Sequence, residues 1–179
     1  MGLLVRHAEP QDSPALARVH IASWRQSYKG QLPQEYLDSL SVEAWTTTWA
    51  KAFSQLPDQA PTTLVGELDG QIIGFACVGP SRDDDTNTGT GEVWGLYLDP
   101  AYWGAGHGES LHTEALKVAR ASGAVGATLW VLTTNQRARH FYERHGWAAD
   151  GAEKTAWRGD VRLDETRYRI SLRVSAPNL

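Results

Sequence analysis

The sequence predicts an α+β fold in which a mixed, mostly antiparallel, twisted sheet of about seven strands is flanked by four to five helices. Two observations support this class: segments with apolar residues at strand spacing follow segments with apolar residues at helical spacing, and they do so without a regular βαβ repeat. A third observation is one strand–glycine turn–helix–strand unit at 92–132, whose two strands should be parallel. The 179 residues contain no linker or internal repeat, so a single domain, 1–179, is predicted.

The first third of the chain predicts one short strand followed by helices. Ser13 and Pro14 indicate a helix start, because a hydroxyl caps the helix and proline already has a helical φ. Gly30 and Pro33 end this helix, and Ser41 is expected to cap a later one. The predicted elements are, in order, a strand at 3–6, a helix beginning at Ser13, a short helix at 34–40 and a helix beginning at Ser41.

The rest of the chain changes to strand spacing. Asp69-Gly70 is typical of a tight hairpin turn. A polar segment, 81–91, is predicted to be a loop, and a glycine-rich turn at 104–108 is predicted to lead into a helix. The predicted strands lie at 63–68, 71–78, 92–98, 127–132, 147–157 and 161–174, with a further helix at 135–145.

Composition excludes several classes of protein. Lys and Arg total 17 against 21 Asp and Glu, which gives a formal net charge of −4. Without a basic cluster, this balance argues against nucleic acid as a partner. Cys77 is the one cysteine, so an internal disulfide and a cysteine-based zinc site are excluded. No histidine pair has the spacing and supporting carboxylates of a metal site, so no metal is predicted. No apolar segment reaches the roughly 18 residues of a membrane span, so no membrane partner and a cytoplasmic location are expected.

The glycine-rich turn has the features of an anion site. A helix N-terminus presents unpaired N–H groups and a partial positive charge, and glycines let a phosphate approach the backbone. A pyrophosphate is the natural occupant, although a plain glycine-rich turn is the alternative. A dinucleotide fingerprint is excluded because its third glycine would fall at Glu109.

Two motifs, in order and at a consistent separation, resemble those of the GCN5-related N-acetyltransferase (GNAT) family, and the segment 23–30 resembles an unassigned bacterial branch of that family. The segment 96–108, a hydrophobic strand followed by Asp-Pro and a Gly-x-Gly turn, is similar to the family's coenzyme A segment. The segment 129–147, which includes Asn135, Phe141-Tyr142 and Gly146-Trp147, is similar to its strand–Asn–helix segment. Trp103 departs from the pattern, since many members have Gln or Arg there.

The resemblance implies acetyl-CoA as co-substrate, bound in a V-shaped split between the fourth and fifth strands. Backbone groups of the fourth strand would pair with pantetheine, N–H groups of the glycine turn would hold the pyrophosphate, and Asn135 would contact the pantetheine arm. The implied coenzyme-binding residues are Leu96, Tyr97, Leu98, Gly104, Ala105, Gly106, His107, Gly108, Glu109 and Asn135.

Acetyl transfer to an amine needs a base for the amine proton and an acid for the leaving thiolate. Tyr142 matches the family's tyrosine and is the candidate acid, although it could be a core residue on an apolar helix face. Glu92 is the candidate base, acting through a water, although it could be a solvated carboxylate. Trp24 and Tyr28, at i and i+4, either line the acceptor pocket or simply pack together.

The predicted function is therefore transfer of an acetyl group from acetyl-CoA to a primary amine of a small molecule, by direct attack in a ternary complex. The alternatives are acetylation of a protein N-terminus or lysine, and a non-catalytic CoA-binding sensor. Trp130 stands where the protein N-terminal branch has glutamate, which argues against that branch. The acidic run at 83–85 is either a solvated loop or an attractor for a cationic amine. The oligomeric state is left open, a homodimer included.

Overall fold

The computed structural model describes residues 2–54 and 61–173. These residues form seven strands and five α-helices, with short 3₁₀ turns before α1 and after β4. In chain order the elements are β1 (Leu4–His7), α1 (Ser13–Ser27), α2 (Gln34–Ser39), α3 (Val42–Phe53), β2 (Thr62–Leu68), β3 (Gln71–Pro80), β4 (Thr90–Leu98), α4 (His107–Ala121), β5 (Gly126–Leu132), α5 (Gln136–Arg144), β6 (Ala148–Arg158) and β7 (Val161–Ser171).

The strands form one sheet in the order β1-β2-β3-β4-β5-β7-β6. The β4–β5 pair is parallel and each of the other neighbouring pairs is antiparallel. The predicted fold class is thus confirmed, including the single parallel crossover through α4. Most predicted boundaries hold within one or two residues. The predicted end of the last strand, Val174, lies outside the described residues.

Both faces of the sheet are covered, because successive side chains of a strand point to opposite sides. On β3, Phe75 and Cys77 pack with Leu16 of α1 and with aromatic side chains of α3. Ala76 and Val78 pack on the other face, against α4 and α5. The sheet therefore fixes α1 and α5 on opposite sides of β4, which is the strand that runs into the predicted site. Among the described helices, none has the length and apolar character needed to cross a membrane.

The central strands separate part of the way along. The register of β4 shifts against β3, since Cys77 pairs with Gly95 but Val78 pairs with Val93, so Trp94 is an extra residue in a β-bulge. Pairing between β4 and β5 ends at Val93. Beyond this point β4 stays with β3 and β5 stays with β7. The predicted V-shaped split between the fourth and fifth strands is confirmed.

Candidate active site

The split opens into a cavity of about 500 Å³. Its walls come from β4 and β5, from the ends of α1 and α5, and from the β6–β7 hairpin. The predicted catalytic residues Glu92 and Tyr142 both line it, as do Trp24, Tyr28 and Asn135. The fold thus brings together side chains that lie more than 100 residues apart in the sequence.

The backbone of β4 has one edge paired with β3 and one edge facing the split. Asp99 donates its backbone N–H to the carbonyl of Ile73 at 2.8 Å, and Tyr97 is two residues earlier, opposite Phe75. Backbone groups alternate sides along an antiparallel strand, so Tyr97 pairs with β3 while Leu96 and Leu98 face the split. The predicted coenzyme contact of Tyr97 is therefore restricted to its ring, whereas Leu96 and Leu98 are oriented as predicted.

Trp103 occupies one of these backbone groups. Its indole Nε1–H donates to the carbonyl of Leu98 at 2.9 Å. Of the two backbone groups of Leu98, only the N–H is therefore left to face the split. The residue that departs from the family pattern therefore fixes the turn to the end of β4.

The glycine turn is built around two left-handed residues, Gly104 with φ of 82° and Gly106 with φ of 83°. Gly106 is the N-cap of α4, and its carbonyl accepts from the N–H of Glu109 at 3.1 Å. In the described part of the chain, the N–H groups of residues 104–108 have no backbone acceptor. These groups fit the predicted pyrophosphate site. The prediction for Glu109 needs correction, because its N–H is already used within the helix.

Arg137 is a side chain of this region that the sequence reasoning missed. Its guanidinium carbon lies 3.5 Å from the centre of the Trp103 ring, and both side chains line the cavity. Burial lowers the pKa of Arg137, and no carboxylate in the described ranges forms an ion pair with it. A cation is thus held beside the glycine turn, stacked on the residue that departs from the family pattern.

Asn135 caps α5. Its Oδ1 accepts from the N–H of Ala138 at 3.1 Å, and the side chain is buried at the cavity wall. Because the side-chain oxygen already caps the helix, the predicted contact with pantetheine falls to the amide nitrogen.

Tyr142 lies on α5, 7% exposed, between Phe141 and Trp147. It also lines the cavity, so it is both a packed residue and an accessible one. Burial raises the pKa of Tyr142 well above its ordinary value. The phenol therefore keeps its proton at neutral pH, which is the form required of an acid.

Glu92 is 1% exposed, which corrects the alternative that it is a solvated strand residue. One carboxylate oxygen accepts from the backbone N–H of Arg82 at 2.9 Å and from its Nε at 3.2 Å. The other accepts from the terminal guanidinium nitrogen of Arg82. The carboxylate therefore reaches the cavity as half of an ion pair. Its role as base stays a prediction.

The predicted acceptor end of the cavity has an aromatic wall. The rings of Trp24 and Tyr28 pack edge to face with centroids 5.0 Å apart, and both line the cavity. Burial raises the pKa of Tyr28 far above its ordinary value, against a smaller opposing effect of Asn135. The two rings therefore pack together and also face the space where an acceptor would lie.

The acidic run at 83–85 is not simply solvated. Arg167 donates to both carboxylate oxygens of Asp85 at 2.6 Å each, and it approaches Asp83 at 3.2 Å. Trp130 donates its Nε1–H to the other oxygen of Asp83 at 3.0 Å. Two of the three carboxylates in the run are thus already paired within the protein.

The β6–β7 hairpin supplies charged residues that sequence reasoning also missed. Lys154 lies 4.0 Å from the centre of the Trp130 ring and 3.6 Å from the carboxylate of Glu165. Arg158 lines the cavity beside them. The alternating polar pattern of β6 predicts a strand, but it carries no signal for which polar residues face the split.

Comparisons with known proteins agree with this geometry. The model of the acetyltransferase (GNAT) family matches residues 21–147. A probable N-acetyltransferase of Mycobacterium tuberculosis is 28% identical over 170 residues, which cover 93% of this chain and 92% of that protein. Mycothiol acetyltransferase of Streptomyces avermitilis is 33% identical over 149 residues, which cover 82% of this chain and 43% of that longer protein.

Solved structures share the fold. The PaiA N-acetyltransferase of Thermoplasma acidophilum, crystallised in complex with coenzyme A, superposes with a TM-score of 0.73 at 23% sequence identity, covering 94% of this chain and 100% of that one. Because the family model covers more than half of the sequence, the chain belongs to the GNAT family. It is an acetyltransferase of the N-acetyltransferase type.

Proposed function

We propose that this protein transfers the acetyl group of acetyl-CoA to a primary amine of a small molecule, by direct attack in a ternary complex. The observation that carries the proposal is the shape of the split. One end is lined by Trp103 and Gly108, which flank the glycine turn before α4, and the other is an aromatic-walled pocket formed by α1 and the β6–β7 hairpin. Tyr142 also lines the split.

The coenzyme end fits acetyl-CoA on two structural grounds. The turn leaves the N–H groups of residues 104–108 without backbone acceptors, and two left-handed glycines keep the space above them open, since a Cβ built on Gly104 or Gly106 meets nothing within 4 Å. Such a cradle suits a pyrophosphate. Leu96 and Leu98 offer backbone groups to the pantetheine amides, and Arg137 supplies a cation beside the turn.

Groups of this chain are assigned to three parts of the acetyl transfer: polarising the carbonyl, protonating the sulfur and removing the amine proton. A backbone amide near Leu96 polarises the thioester carbonyl as negative charge develops on its oxygen. Tyr142, still protonated at neutral pH, donates its proton toward the departing sulfur. Glu92 takes the amine proton through a water, and the neighbouring Arg82 guanidinium fixes the orientation of its carboxylate.

The two alternative functions, acetylation of a protein and non-catalytic CoA sensing, require different features of the site. A protein acceptor requires an open groove, whereas the aromatic wall of Trp24 and Tyr28 favours a small molecule. A sensor module would have no need of the candidate acid Tyr142 and the candidate base Glu92, which both line the split. These features support the small-molecule enzyme over both rivals.

The first test separates the phosphate site from backbone strain. Gly106→Asp places a negative charge at the cradle, and Gly123→Asp is its control, because Gly123 also has positive φ and open space but lies at the other end of α4. We expect Gly106→Asp to weaken acetyl-CoA binding about tenfold or more, roughly 1.4 kcal/mol per factor of ten. Gly123→Asp should bind as wild type does in titration calorimetry. Equal affinities of the two folded variants would remove the phosphate site.

The second test is a panel of primary amines with acetyl-CoA, read by release of free thiol. Turnover with at least one small amine is expected. Binding of acetyl-CoA without turnover on any amine would favour the sensor, and turnover on peptides alone would favour a protein acceptor.

A further inference from the structure

Most charges that line the cavity are already compensated. Arg82 pairs with Glu92, and Lys154 lies 3.6 Å from Glu165. Asp83 is balanced by Arg167, which approaches it from outside the cavity. Within the ranges 2–54 and 61–173, two lining cations form no ion pair: Arg137 and Arg158.

These two cations lie at opposite ends of the cavity. Arg137 stacks on Trp103 beside the glycine turn. Arg158 ends β6, next to the cluster of Tyr28, Leu132 and Leu163 that forms the acceptor end. Burial raises the pKa of Tyr36, and the positive charge of Arg158 opposes that rise, so the guanidinium is electrostatically close to this pocket.

An unpaired guanidinium at the mouth of an aromatic pocket selects ligands by charge. Although Arg158 is itself exposed, its positive charge raises the local concentration of anions at the mouth. Guanidinium also binds carboxylate and phosphate groups through paired N–H donors. Asp83 and Asp85 of the acidic run are already engaged by Arg167. In the described ranges, Arg158 is thus the lining cation at this end that is left without an ion pair to meet an anionic group.

Resting on the proposed function, we propose that the acceptor carries an anionic group in addition to its primary amine, as an amino acid or a phosphorylated amine does, and that Arg158 binds that group. The amine then points toward Tyr142 and Glu92, while the anion stays at the β6–β7 hairpin. Arg158 acts as a specificity residue and takes no part in the chemical step.

The test uses acceptors in matched pairs that differ by the anion. Phenylalanine and methionine are compared with their amides, phosphoethanolamine is compared with ethanolamine, and spermidine represents a cationic amine. A carboxylate also changes the pKa of the neighbouring amine. For this reason kcat/KM is measured over a pH series, and each value is divided by the fraction of the amine that is deprotonated before the acceptors are compared. We expect the anionic member of at least one pair to be preferred about tenfold or more, and the two kinds of pair separate a carboxylate from a phosphate.

Arg158→Gln should remove that preference by raising KM for the anionic acceptor, with little effect on kcat or on the neutral partner. Arg162→Gln is the control, because Arg162 lies nearby on β7 but pairs with Asp164 and does not line the cavity. Calorimetric binding of the same pairs to the CoA-saturated protein gives a readout that does not depend on turnover.

The outcomes are distinguishable. Turnover without discrimination, or discrimination that survives Arg158→Gln, overturns this inference and leaves the proposed function intact. Anion-selective binding that Arg158→Gln abolishes, with no turnover, supports the inference and refutes the enzyme. Preference for spermidine over every anionic acceptor overturns the inference in favour of a cation-selective pocket.

Discussion

Acidification should destabilise this fold through its buried histidines, His20 and His112, because burial lowers the pKa of each to about 4. His112 lies on α4, 3% exposed, and its Nε2 accepts a hydrogen bond from the Trp147 indole at 2.8 Å. Burial, together with the nearby His145 and Arg120, lowers the pKa of His112 to about 4. Protonation would leave a buried cation and would remove the acceptor that Trp147 uses.

Proton linkage gives the sign and the size of this change in the free energy of unfolding. An unfolded chain binds the proton below a pKa of about 6.5, whereas the folded protein does so only below about 4. The stability that neutral His112 contributes is therefore complete above pH 6.5 and is lost as the pH falls toward 4. One pKa unit corresponds to about 1.36 kcal/mol, so the loss is about 2 kcal/mol at pH 5.

The measurement is urea unfolding at pH 7.5 and pH 5.0 for wild type and for His112→Gln. The glutamine carbonyl can still accept from Trp147 but does not titrate in this range. Carboxylates with a lowered pKa, such as Asp12 and Asp150, also make the protein less stable in acid. Their contribution is the same in wild type and variant, so it cancels when the two losses of stability are subtracted. Wild type should lose about 2 kcal/mol more than His112→Gln. His140→Gln, at an exposed position on α5, should behave as wild type, and equal losses for all three proteins would refute the argument.

Three predictions concern the site. Tyr142→Phe should leave acetyl-CoA affinity unchanged and lower kcat by up to about 10²–10⁴-fold, as the loss of a general acid does; an unchanged kcat with a good acceptor would make Tyr142 a packing residue only. Glu92→Gln should lower kcat/KM near pH 7, with the loss shrinking as pH rises and more amine is deprotonated; a loss independent of pH would mean that Glu92 only orients Arg82. Arg137→Gln should raise KM for acetyl-CoA several-fold without changing kcat, whereas the control Arg144→Gln at the exposed end of α5 should not, and equal KM values would separate Arg137 from the coenzyme.

The sequence predicted the fold well because its strongest signals are local. Asp69-Gly70 places the β2–β3 hairpin, and Ser41 caps α3 by accepting from the N–H of Ala44 at 3.2 Å. The β-bulge at Trp94 could not be predicted, since an extra residue is defined only by the pairing of two strands. The bulge lies beside the point where β4 separates from β5. No local sequence signal therefore marks the exact residue at which the split begins.

The candidate site also combines contiguous residues, which the sequence predicts, with contacts between distant residues, which it does not. The glycine turn is contiguous, and its free N–H groups follow from the residue types alone. The contacts of the charged side chains join residues that are distant in the sequence: Arg82 pairs with Glu92 across the loop between β3 and β4, and Arg137 of α5 stacks on Trp103 of the turn before α4. The sequence does not show which partner a charged side chain has, so it left open a solvated carboxylate as the alternative for Glu92 and did not predict that Arg167 pairs with Asp83 and Asp85.

A polar anchor adjoins the predicted acceptor end but does not line the cavity. Arg167 is 4% exposed on β7, and carboxylates from two directions surround it: Asp83 and Asp85 from the loop after β3, and Asp150 from β6. A buried guanidinium is stable only when it is compensated in this way. Because Asp83 directly follows Arg82, the same anchor fixes the loop that positions the guanidinium on Glu92. The charge cluster around Arg167, on the far side of β5, thus helps to set the orientation of the predicted base, together with the stacking of Arg82 on the Trp94 ring at 4.2 Å.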